Sequence, residues 1–70
     1  MGEKIYIRGT DLRIWGYIET DSEGNQIAKD FYHRIVGRYD KKLDMTKDFY
    51  HRPVARGNVV SSLIPPIDQQ

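Results

Sequence analysis

The hexamer "KDFYHR" is written twice in this chain, at residues 29–34 and 47–52, and the two copies hold both of its histidines and both of its phenylalanines. Four residues after the arginine of each copy stands another, Arg38 after Arg34 and Arg56 after Arg52. Each unit therefore assembles two guanidiniums, a phenol (Tyr32 or Tyr50), an imidazole (His33 or His51) and a phenyl ring. A guanidinium is a planar, permanently charged fork that fits pairs of anionic oxygens, and an aromatic ring accepts a stacked base. These are the groups of a site for phosphate or nucleotide. The expected ligand-binding residues are Arg34, Arg38, Arg52, Arg56, Tyr32, Tyr50, His33 and His51. Read as extended chain, Asp30, Tyr32 and Arg34 face one way and Phe31 and His33 the other, and a turn inside the hexamer would scramble that parity. The plainer reading makes Phe31 and Phe49 core residues and Asp30–Arg34 and Asp48–Arg52 local ion pairs, with Tyr and His finishing a turn.

Catalysis has less behind it. His33 and His51 would serve as acid and base on a phosphoester only if the fold brought them together. Ser61 and Ser62 lie in "VVSSLI" with no nucleophile elbow, and no glycine-rich phosphate loop is present. The acids stand mostly beside turn signals, where an Asx turn explains them. The chain has no cysteine and no histidine spacing of a zinc site, so neither metal nor cofactor is expected. Eleven Lys/Arg against ten Asp/Glu give a net charge of +1, too little basic excess for a nucleic-acid polymer as partner. No apolar run is long enough for a membrane span or a signal peptide, which points to a cytoplasmic protein. Gly2 follows Met1 as in an acylation signal, but Tyr6 stands where that signal needs Ser or Thr.

The elements that must position these groups read as strands. Leu12, Ile14, Gly16 and Ile18 alternate with Arg13, Trp15, Tyr17 and Glu19, and Ile5 and Ile7 alternate before them, with "RGTD" suited to a tight reversal between. "TDSEGNQ" supplies Gly24 and Asn25 for a hairpin loop. "RIWGYIE", "RIVGRYD" and "RPVARGN" are versions of one unit starting at Arg13, Arg34 and Arg52, with a Gly or Ala position that allows close backbone approach. The stretch from Asp40 to Tyr50 competes for helix, but enclosure of the first hexamer by strand-like sequence favours strand. Residues 59–64 read as a last strand stopped by Pro65 and Pro66.

The "DSEGNQIA" turn, "RIVGRYD" and "DFYHRPVARGNVVSSLI" resemble the β-flower domains of bacteria and phages, small repeat proteins with short hairpins around a pseudo-symmetric centre. The likeness spans residues 12–64 and implies a fold without a mechanism. The expected molecule is all-β, with short antiparallel hairpin repeats in a small pseudo-symmetric β-flower or barrel-like array over residues 1–64 and a flexible tail over 65–70. So small a core is thinly stable alone, so a homo-oligomer is expected, with Trp15 and Tyr17 on its interface. The alternative for Trp15 is burial on both faces of its strand. The expected function is non-catalytic capture of a small anionic ligand, a nucleotide or nucleotide signal, at an oligomer interface. The alternative is a structural module whose repeats serve only assembly or partner docking.

Overall fold

Five reversals of chain direction follow from five short turns, and in each an aspartate or glycine opens the loop. At residues 30–34 the Asp30 N–H donates to the Arg34 carbonyl (2.9 Å) and the His33 N–H to the Asp30 carbonyl (3.0 Å), while His33 takes φ 67°. This is a three-residue hairpin loop, a type I turn closed by a left-handed residue. Residues 48–52 repeat it with His51 at φ 63°, residues 9–13 with Leu12 at φ 68°, and residues 21–25 with Gly24 at φ 88°. Residues 40–44 form a one-residue-offset version with Asp44 at φ 51°. The alternating segments between turns become strands because each buries one parity of its side chains.

The computed structural model describes residues 3–70; Gly2 lies outside the described residues. The strands are β1 (Glu3–Arg8), β2 (Ile14–Thr20), β3 (Gln26–Asp30), β4 (Ile35–Asp40), β5 (Met45–Asp48) and β6 (Pro53–Arg56). They form one antiparallel meander in the order β1-β2-β3-β4-β5-β6. The domain is thus all-β, as expected from the alternation, and 40–50 is loop and strand with no helix. The turns at 9–13, 30–34 and 48–52 lie at one end of the sheet and those at 21–25 and 40–44 at the other. No helix among the described residues is long and apolar enough to cross a membrane.

After β6 the chain does not add the strand expected at residues 59–64. Asn58 Oδ1 accepts from the Val60 N–H (3.3 Å), the Ser62 hydroxyl donates to the Val59 carbonyl (2.6 Å), and Val60–Leu63 winds as a 3-10 helix. The β-branched run misleads because this segment crosses a sheet face and has no ladder to join. It is pinned by Thr46, which is fully buried: its hydroxyl donates to the Gly57 carbonyl (2.7 Å) and accepts from the Val59 N–H (3.1 Å). The crossing chain fills a trough of small residues. Ile18 pairs with Ala28 and Ala28 with Gly37, and the core is Ile18, Ala28, Val60 and Ile64, flanked by Ile7, Trp15, Val36, Tyr39 and Leu63. A Cβ on Gly37 would overlap Leu63 Cδ1, and one on Gly16 would overlap the Lys29 carbonyl and reach Ile64 Cγ2 at 3.0 Å. The repeated Gly/Ala position therefore admits the crossing segment.

Residues 65–70, expected to trail as a flexible tail, lie against the sheet. Gln70 Nε2 donates to the Trp15 carbonyl (2.6 Å) and the Pro65 carbonyl (2.9 Å), and its Oε1 accepts from the Phe31 N–H (2.8 Å).

Candidate functional site

Because Ala28, Gly37 and Thr46 face the crossing segment, their neighbours Lys29, Arg38 and Lys47 face the other way, onto a bare sheet face. Register places Tyr6 beside Tyr17 and Tyr17 beside Lys29 in one row across this face. A second row reads Lys4, Glu19, Ile27, Arg38, Lys47. The hexamer turn adds to it. His33 Nδ1 meets Tyr17 Oη at 2.6 Å, and Arg38 Nη1 donates to His51 Nε2 at 3.2 Å. Since a guanidinium only donates, the imidazole nitrogen is the acceptor in that contact. The two contacts are one repeated device: the lysine and histidine of each hexamer (Lys29 with His33, Lys47 with His51) frame the residue four past the preceding unit's arginine, Tyr17 or Arg38.

The two copies of that device differ in charge balance. Around Tyr17, Lys29 Nζ is ion-paired with Glu19 (2.8 Å), and Lys4 Nζ lies 4.7 Å from the Tyr17 ring centre. The hydrogen bond from Lys29 holds the Glu19 carboxyl below its ordinary range, helped by the charge of Lys4. Around Arg38, the guanidinium and the Lys47 ammonium stand directly opposite across β4 and β5, and neither has a carboxylate within ion-pair distance among the described residues. Like charges so placed are destabilising on their own. They border a hollow of about 250 Å³ with His51, Ile27 and Tyr39, which Asp21 and Asp40 also line.

Arg34 and Arg52 lie elsewhere. Asp30 pairs with Gly16 and Asp48 with Gly37, so both carboxylates point to the covered side, where Asp30 is almost fully buried. Asp30 Oδ1 accepts from the Tyr32 and Arg34 N–H groups (both 2.9 Å) and Oδ2 from Arg34 Nε (2.8 Å). Asp48 repeats this with Tyr50, Arg52 and Arg52 Nε, at 2.8, 2.9 and 2.9 Å. The N–H of Arg52 and its guanidinium hold the Asp48 carboxyl below its ordinary value. Arg34 covers the Tyr32 ring at 5.4 Å and Arg52 the Tyr50 ring at 5.2 Å.

The eight expected ligand residues therefore do not form one pocket. His33, His51, Arg38 and Arg56 belong to the bare face, Arg56 on the outermost strand, whereas Arg34, Arg52, Tyr32 and Tyr50 build the turns. The histidines stand in separate turns about two strand spacings, roughly 10 Å, apart and touch different partners. Phe31 and Phe49, read as core, are exposed because they occupy the first corner of a tight turn, where a side chain projects away from both strands. Trp15, read as an outward interface contact, is half-buried: the register slips at Ile7/Arg8, the resulting bulge swings the indole into the core, and its ring fills the space that a Cβ on Gly9 would need. Tyr17 is 6% exposed beneath Lys4 and Lys29. Lys47, Lys29 and Tyr6 were missed from the sequence. The signal for the lysines was present, since they open the repeated hexamer.

Compared with known proteins, the chain matches no family model, no curated protein and no solved structure.

Proposed function

We propose that this protein is a non-catalytic binding module that captures a small anionic ligand, of the nucleotide class, on the bare face of its sheet. One observation carries the reading: Arg38 and Lys47 oppose each other with no carboxylate within ion-pair distance among the described residues, in a hollow that His51 completes and that Asp21 and Asp40 also line. A bound phosphate would convert that repulsion into two charge-assisted contacts. The histidine adds weight. Gly24 fills the left-handed corner in the same turn type, so His51 and His33 hold a conformation that costs a side chain about 1 kcal/mol. The likeness to β-flower domains bears on the fold and not on this reading.

Thermal shift against a panel of linear and cyclic nucleotides tests it. Ligand at 100 times its dissociation constant adds about 2.7 kcal/mol to stability, so a binder raises the melting temperature in wild type and not in Arg38→Ala. An unmoved melting temperature for every anion rejects capture.

A second reading, that the repeats serve assembly or partner docking, is favoured by the exposed turn tips Leu12 (73%), Phe31 (49%) and Tyr50 (71%) gathered at one end of the sheet. It predicts that Phe31→Ser with Phe49→Ser changes the mass in solution. An unchanged mass counts against it.

A further inference from the structure

On the reading of Arg38 and Lys47 as an anion site, which this inference rests on, we infer that the ligand carries an aromatic ring and that Tyr6 is the platform on which the ring lies, making a nucleoside diphosphate the fitting class. The same face holds a second hollow, about 300 Å³, bounded by Lys4, Tyr6, Tyr17, Phe31 and His33. It differs in chemistry from the first. Lys29, the repeat-position lysine opposite Tyr17, is already neutralised by Glu19, and where the first hollow has Arg38 the second has Tyr17. It is thus a poor second anion site and a good aromatic one.

Tyr6 is the available surface. It is 53% exposed, while Tyr17 is buried, and its ring stands 6.1 Å from Tyr17 at 53°. Tyr17 is in turn fixed by three neighbours: Lys4 against its ring, Lys29 at 5.8 Å, and His33 on its hydroxyl. A rigid, buried ring behind an exposed one is a stacking platform that does not have to be ordered when a base arrives. Phe31, on the rim of the same hollow, reaches it from the turn.

One molecule would bridge the two hollows: Tyr6 and Arg38 lie three strands apart and one step along the strand direction, roughly 16 Å between backbones, and the long side chains of Tyr6 and Arg38 shorten what a ligand must span. Ile27 is the face residue between Glu19 and Arg38, leaving an apolar floor for the ribose. No covalent step is involved.

Calorimetry on the full chain separates the two claims, with pyrophosphate, adenosine 5′-diphosphate and adenosine as probes. Wild type should bind the nucleotide at least about fivefold more tightly than pyrophosphate, the low end of what base stacking supplies. Tyr6→Ala should erase that ratio while leaving pyrophosphate affinity within about twofold, and Tyr6→Phe should restore it. Equal affinities in wild type, or a Tyr6→Ala loss that strikes both probes alike, overturns the platform and leaves anion capture standing. Absence of binding by both phosphates rejects anion capture itself and the platform with it.

Discussion

His51 sits at φ 63° with its ring on Arg38, in a turn whose counterpart at residues 21–25 uses Gly24 for the same corner. The exchange His51→Gly therefore separates fold from function. Stability by urea unfolding should be unchanged or raised by up to about 1 kcal/mol, because glycine adopts this conformation freely, while affinity for pyrophosphate should fall. A loss of more than about 1 kcal/mol would make the imidazole a structural part of the turn. The turn's acid behaves in the opposite way. Asp48, Asp11 and Glu19 all hold folded values below their ordinary ones, Asp48 through the N–H and guanidinium of Arg52, Asp11 through the Arg13 guanidinium and Glu19 through Lys29. A carboxylate so lowered stabilises above its unfolded value and loses that contribution as pH falls through the folded one. The melting temperature should accordingly decline below about pH 5, and less steeply in Asp48→Asn. A profile flat down to pH 3 would contradict these hydrogen bonds.

At the scale of elements, the hairpins were legible because alternation and turn chemistry agree. Gly24 at φ 88°, the reversal after Arg8 and the strand before Thr20 all follow from residues visible in the string. The doubled hexamer was harder, since a three-residue loop normally announces itself with glycine at its left-handed corner. Here Asp30 and Asp48 supply the announcement instead, each side chain taking the two N–H groups that a turn leaves open. With no glycine at that corner, Phe31 and Phe49 read as strand and hence as core. The bare face was half legible. Arg38 and the histidines stood out by repetition, but Lys29 and Lys47 join them only once the turn brings the lysine and the histidine of each hexamer to one side. The crossing segment was not legible at all, because nothing local in "VVSSLI" distinguishes a strand from a chain that packs across one. Its trace is the Gly/Ala repeat position. Gly16→Ala should destabilise more than Gly37→Ala, by roughly 1–3 kcal/mol against a smaller loss. The Cβ at 16 runs into the Lys29 carbonyl and lies 3.0 Å from the Asp30 Cα, both backbone, whereas at 37 the principal overlap is with the movable Leu63 side chain, and the Lys47 carbonyl is 2.8 Å away. Equal melting temperatures for the two variants would show that the segment yields at both places.

For the whole molecule, the sheet has one covered face and one bare one, and the covering strip supplies Val60 and Ile64, half of the buried cluster. A domain of this size has a stability of only about 3–5 kcal/mol, and truncating a buried isoleucine costs about 2–5. Ile64→Ala should therefore leave a largely unfolded population at 37 °C by circular dichroism, and a fully folded variant would show that the strip is dispensable. The bare face carries Lys4, Lys29, Arg38, Lys47 and Arg56 against Glu19 and Asp40, so the near-neutral total hides a molecule that is basic on one side. Anion capture there is the central claim. Its most direct test is isothermal titration of pyrophosphate into wild type and into Arg38→Ala/Lys47→Ala, with melting temperatures measured alongside. Wild type should bind with an affinity that weakens as salt rises, and the double variant should lose at least about tenfold while melting no lower, because it has shed a like-charge pair. Equal affinity in the two proteins, or no heat of binding in either, would contradict the account.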